Sequence, residues 1–188
     1  MLFNKKKLKV GLAFLFVVIF LIPINNNALN LLGTIEFPVP TQTNKLLFYI
    51  QRSTNINTII YDANIKDGKI DPKKPLDIYW IRYTENGTKG TLNYLERVLA
   101  YGADVTVPTD TSKVYTIHFA ASNKKTATFF VDSKGQAVAH MLINGKKAKL
   151  SKIFVQAHET SWLPKVSYVE ITGFDLVTGA KVIERINN

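Results

Sequence analysis

Two arginines at the ends of apolar strands are the residues best placed to do chemistry. Arg52 closes the run Leu46–Arg52 (LLFYIQR), where Leu46, Phe48 and Ile50 share its face. Arg82 stands in Leu76–Tyr83 (LDIYWIRY), where Leu76, Ile78 and Trp80 share its face. Alternate residues of a strand point to one side. If that side looks inward, each strand sets a guanidinium at the end of an apolar wall. A guanidinium there needs an acid, a carbonyl or an anionic ligand. Tyr49, Tyr61, Tyr79 and Tyr83 lie close in sequence. The chemistry that follows is recognition: a cavity lined by Arg52, Tyr79, Trp80 and Arg82, taking a small amphipathic or anionic ligand. The plainer reading has both arginines reaching solvent, or pairing with Asp62 or Asp77.

His118 and His140 form a second candidate cluster. His118 shares a face with Val114, Thr116 and Ala120, while Tyr115, Ile117 and Phe119 make the apolar face. His118 is therefore expected to face solvent or a cavity. His140 lies in a run that is apolar on both faces, which marks a central strand and a place for a buried imidazole. His158 stands beside Glu159. Metal ligation favours histidines two or four apart, but these are 22 and 18 residues apart. Ordinary sheet histidines are the plainer reading. A hydrolase or metal-dependent enzyme using His118 and His140 is the alternative, and it needs strand register to bring them together.

Other chemistries lack their motifs. There is no GxSxG or SxxK signature, and no glycine-rich phosphate loop. The glutamates are scattered. The run from Asp62 to Gly68 resembles a calcium loop, but Lys66 occupies a ligand position and the glycine comes one place late. With no cysteine, disulfides, thiolate zinc sites and cysteine nucleophiles are excluded. No catalytic residue, metal or cofactor is expected, and the balance leans away from an enzyme.

The elements that position these residues are mostly strands. Val114–Ile143 reads as three β segments joined by turns at 122–124 and 133–135, with Asn144-Gly145 leading into Lys149–His158. Loops this short join antiparallel neighbours. Leu46–Arg52 and Thr58–Ala63 suggest a hairpin, as do Val166–Leu176 and Lys181–Ile186. Between Thr91 and Tyr101 the period changes. Leu92, Leu95 and Leu99 fall at i, i+3 and i+7, and Gly102 follows. This predicts one α-helix, about 91–101, packed by its leucines on the sheet and stopped by a left-handed glycine. The fold class expected is mainly β: about nine strands in an antiparallel meander, closing as a barrel or sandwich, with that one packed helix.

The N-terminus supplies an address. Lys5, Lys6, Lys7 and Lys9 precede an apolar run from Val10 to Ile24. Fifteen residues are short for a membrane span, which wants roughly 20. Residues 1–28 therefore read as an export signal helix, with cleavage after Ala28, although Asn26 is a poor residue for that site. An uncleaved anchor in the inner membrane is the alternative. Residues 29–45 form an extended lead-in, with a short strand expected near 34–39, and residues 46–188 form one β-rich domain. The apolar content of 46% is ample for its core. The whole chain carries 24 basic and 14 acidic side chains; without the four signal lysines the balance is 20 to 14, or +6. Most of the remaining lysines fall at turns, which suits solvated loop tips. An exported (periplasmic, envelope or secreted) protein makes nucleic acid an unexpected partner. The other partner considered is an envelope protein, bound as a subunit of an assembly through a strand edge.

The runs LFYIQRSTNINTIIYDAN (Leu47–Asn64) and YVEITGFDLVTGAKVIERI (Tyr168–Ile186) resemble an uncharacterised family of exported bacterial proteins, a domain of unknown function. The resemblance spans roughly residues 46–187. It implies a single family domain behind a signal peptide and brings no catalytic residues.

Overall fold

The computed structural model describes residues 36–158 and 165–188. The signal segment at 1–28, most of the lead-in and the link around Trp162 and Pro164 lie outside the described residues. The described strands are β1 (Leu46–Arg52), β2 (Asn55–Ala63), β3 (Ile65–Lys66), β4 (Lys69–Ile70), β5 (Leu76–Arg82), β6 (Thr88–Thr91) and β7 (Ala103–Thr106). They continue with β8 (Tyr115–Phe119), β9 (Thr126–Val131), β10 (Ala137–Ile143), β11 (Lys146–His158), β12 (Lys165–Asp175) and β13 (Lys181–Asn187). Strand accounts for 57% and helix for 7%, so the chain is mainly β, as its alternating pattern implies.

Eleven strands form one sheet in the order β6-β5-β2-β1-β11-β10-β9-β8-β7, with β12 on β11 and β13 on β12. The sheet curls into a half-barrel. Its hub is β11. Residues 146–149 pair with β10, residues 152–155 pair with β1, and β12 runs along the other edge. The meander β8-β9-β10-β11 is antiparallel throughout, as its short loops require. Asn144 and Gly145 make the tightest of those loops, with φ of 47° and 77°. Two positive φ values define the hairpin turn whose twist matches the strands, and Asn-Gly is the pair that tolerates it. Asp67-Gly68 makes the same turn between β3 and β4, so the calcium-like run is a small hairpin.

The sheet departs from a purely antiparallel meander in one pairing. β1 lies parallel to β11, with Ile50 opposite Ile153 and Arg52 opposite Val155. Alternation tells which face a residue occupies but not which distant strand lies beside it. Ser53 secures this pairing: its amide donates to the Val155 carbonyl at 3.0 Å, and its hydroxyl bridges the Ala157 carbonyl (2.8 Å) and amide (2.9 Å).

The expected packed helix is corrected. A short lone helix forms over residues 94–100, and its last five, Glu96–Ala100, are of the wide π type with the bond from the Tyr101 amide to the Glu96 carbonyl. Of the predicted leucine stripe, Leu92 alone is buried; Leu95, Val98 and Leu99 are exposed. A stripe needs several turns to lie along a sheet, and this element has too few. Residues 88–91 are strand β6, so the element cannot start at Thr91. Gly102 also plays another part than the left-handed stop. Its φ is not positive, and a Cβ there would sit 1.8 Å from the Arg97 carbonyl oxygen. It is a glycine because backbone passes against backbone. In the lead-in, residues 36–43 form no strand. They pack on the outer face instead: Phe37 meets Phe154 edge-on at 5.4 Å, and the Pro38 carbonyl accepts the Gln51 amide at 2.8 Å.

The core fills the concave side. Phe48 stacks on Tyr61 with ring centroids 4.3 Å apart, and Phe119 closes on Phe48 at 5.9 Å. Ile59, Ile117, Phe129, Ile143 and Leu150 are fully buried around them. Each such side chain contributes about 1.5–3 kcal/mol by leaving water.

Candidate functional site

Arg52 and Trp80 come together across β2, in the order β1-β2-β5. Ile50 pairs with Ile59 and Ile59 with Trp80, so all three face the concave side with Arg52 one row further along. The Arg52 guanidinium lies over the Trp80 ring, 4.9 Å from its centroid. Tyr101 completes the group. Its ring stands edge-on to Trp80 at 5.6 Å, its hydroxyl is 3.5 Å from Arg52 Nη1, and its carbonyl accepts the Tyr61 hydroxyl at 2.5 Å. Burial pushes the Tyr61 phenol well above its usual range, so it stays a donor.

Glu96 is the acid that reaches Trp80, and it is occupied. Its Oε2 accepts Trp80 Nε1 at 3.2 Å and the Asn93 amide at 2.9 Å, while Asn93 Oδ1 accepts the Glu96 amide at 2.9 Å. This reciprocal exchange is a capping box. It turns Glu96 inward and the leucines outward. A helix packed by its leucines would put Glu96 on the solvent side; the Asn-x-x-Glu spacing is the signal for the opposite. Arg52 Nε is left buried with no hydrogen-bond partner.

Tyr79 and Arg82 do not join this group. Tyr79 alternates with Trp80 and lies on the outer face, where its hydroxyl donates to Asp62 Oδ2 at 2.8 Å and Lys89 Nζ sits 3.4 Å from its ring centre. Burial raises the Asp62 carboxyl above its usual range, against the Tyr79 hydrogen bond and Lys89, and Asp62 Oδ1 is buried without a partner. Arg82 ends its strand in contact with solvent and pairs with Glu85 at 3.2 Å. That is the plainer of the two readings of Arg82, and the single four-residue cavity is corrected accordingly.

The concave face itself holds a cavity of about 440 Å³. Ile50, Ile153, Val155, Val169 and Ile171 form one wall, and Phe119 and Met141 face them. Leu99 and Tyr101 of the helical turn stand at the lip, and Lys125 lies at the opposite rim. Lys125 Nζ is 2.6 Å from Glu184 Oε1, and the Asn144 amide donates to Glu184 Oε2 at 2.6 Å. Burial pushes the Glu184 carboxyl up, but the Asn144 and Lys125 bonds outweigh it and hold it below its usual value. This clasp ties the β8–β9 loop to β13. Sequence reasoning missed the cavity because its walls read as ordinary core. A second depression, about 500 Å³, is rimmed by Lys73, Asp77, Arg97 and Asp104 and is an ordinary solvated surface.

The histidines are kept apart. His118 is exposed, with Nε2 3.0 Å from the Thr106 hydroxyl. His140 is half-buried, edge-on to Phe130 at 5.1 Å, and burial with Lys149 nearby lowers its pKa. Both lie on the outer face, but β9 separates them: His140 pairs with Thr128 and His118 with Thr126. Two strand spacings and a two-residue offset put them roughly 12 Å apart. They share no proton or metal at that distance. Among the described residues no three His, Cys, Asp or Glu side chains gather to hold a metal, and no helix is long and apolar enough to cross a membrane. The described edge strands are short or guarded: β6 carries Lys89, β7 has four residues, and β13 carries Lys181 and Arg185.

No curated protein and no solved structure matches the chain. A family model does, over residues 48–185: a domain of unknown function, DUF4833. That match covers both hairpins behind the resemblance noted above and nearly all of the half-barrel, and the chain therefore belongs to the DUF4833 family.

Proposed function

We propose that this domain is a non-catalytic binding module of an exported protein, and that its concave cavity takes a small amphipathic molecule. The observation that carries the reading is the cavity. At about 440 Å³ it lies within the usual range for small-molecule sites, and its walls include apolar side chains of six strands. A strand-built wall is rigid, so the cavity is shaped before a ligand arrives and less ordering opposes binding. Export rests on the basic and apolar pattern of residues 1–28.

The neutral fluorophore N-phenyl-1-naphthylamine tests the site. Its fluorescence should rise saturably with one molecule bound per chain. Val169→Trp, which fills the cavity, should abolish the rise. Absence of saturable binding, or full binding by the filled variant, rejects the reading.

A further inference from the structure

The chain has four arginines, and three of them are satisfied. Arg82 pairs with Glu85, Arg185 pairs with Glu170 at 3.0 Å, and Arg97 donates to the Leu92 carbonyl at 3.4 Å. Arg52 has neither carboxylate nor carbonyl among the described residues. Its one polar contact is the Tyr101 hydroxyl at 3.5 Å, at the outer limit of a hydrogen bond, and its Nε has none. Trp80 offers only the face of its ring. A half-buried cation in this state is stabilised by any anion that reaches it.

We propose that Arg52 receives the carboxylate of a single-chain fatty amphiphile whose hydrocarbon tail lies in the concave cavity; this rests on the binding reading above. The geometry ties head to tail. Arg52 sits opposite Val155 in the β1–β11 register and two residues beyond Ile50, and both of those residues line the cavity. Ile50 is thus the last β1 residue to line the cavity, and the guanidinium beyond it meets the hydroxyl of Tyr101, which also lines it. A carboxylate presents two acceptors to a guanidinium fork, and among the described residues the Arg52 nitrogens hold only the 3.5 Å contact with Tyr101. Local acids do not compete, because Glu96 is held by Trp80 and Asn93. Lys125, the cation that does line the cavity, is taken by Glu184 at 2.6 Å. The head group therefore goes to Arg52, and Tyr101 yields its long contact.

Dodecanoate and dodecanol share a tail and differ in charge, so displacement of the naphthylamine probe from the full-length protein separates head from tail. Wild type should bind dodecanoate about tenfold or more tighter than dodecanol, the usual worth of a charge-assisted bond. Arg52→Gln should bring the two ligands level, and Arg52→Lys should keep part of the preference. Equal affinities in wild type, with dodecanol bound, overturn the Arg52 assignment and leave the cavity reading standing. A preference that survives Arg52→Gln also overturns it, since another cation would then read the head. If neither ligand nor the probe binds, the cavity reading fails and this inference with it. The wild-type comparison needs no variant, so a misfolded Arg52→Gln chain does not block the test.

Discussion

Arg52 and Asp62 sit on the two strands of one hairpin and face opposite sides of the sheet. Arg52 Nε and Asp62 Oδ1 are the two side-chain atoms buried without a hydrogen-bond partner among the described residues. Their surroundings differ in one respect. Asp62 is covered: Tyr79 donates to its other oxygen, and Lys89 lies across the Tyr79 ring. Arg52 lies on the Trp80 ring as its floor, opposite Val155 and two residues beyond Ile50, both of which line the cavity. An unsatisfied atom under a closed patch is a cost of packing. An unsatisfied cation beside an apolar cavity is where the proposed head group would bind. The position of empty space, more than burial itself, separates the two.

The sharpest blow to that contrast removes the floor. Trp80→Ala deletes a buried ring and should cost about 3–5 kcal/mol in denaturant unfolding. Tyr79→Ala, on the half-exposed outer face, should cost clearly less. Equal losses would mean that the two sides are energetically alike.

A smaller effect is expected from Gly102→Ala. Its new methyl would meet the Arg97 carbonyl and push the helical turn, with Tyr101, away from Arg52. The overpacking should cost about 1–3 kcal/mol in thermal unfolding and weaken naphthylamine binding. A variant as stable as wild type, binding equally well, would show that the turn does not frame the site.

The smallest effect concerns Asp62 and has a sign set by pH. Burial raises its folded pKa above 3.8, so between that value and the folded pKa the native state holds more proton than the unfolded chain. Its contribution to stability is full below 3.8 and falls as pH rises through the folded pKa. Asp62→Asn lacks this loss and can still accept from Tyr79. The melting temperature of the variant relative to wild type should therefore climb between pH 3 and pH 7. A relative melting temperature that falls over this range would show that the charge is satisfied and that the contrast with Arg52 is misdrawn.

Local rules carried much of this fold. Asn144-Gly145 and the alternation in Val114–Ile143 specify the meander, because turn pair and period leave few other solutions. Alternation also put Arg52, Phe48 and Ile50 on one face, and Trp80 on the face opposite Tyr79. Three things were not legible. Pairing of β1 with β11 depends on residues 103 positions apart, which no local period encodes. The exposed Leu95 and Leu99 obey helical spacing but belong to a short lone helix, whose orientation Asn93 and Glu96 decide. The cavity is a property of curl, and Met141, Ile153 and Val169 look in sequence like any other core residues.

The parallel seat of β1 on β11 also bears on the order in which the chain folds. Ile50 meets Ile153 only after two thirds of the sheet has been made. During synthesis the β1–β2 hairpin therefore waits with one hydrogen-bonding edge open. Contacts this distant raise contact order and slow folding. For that interval LLFYIQR is an apolar strand without a neighbour, and a second nascent chain is the competitor β11 must outrun.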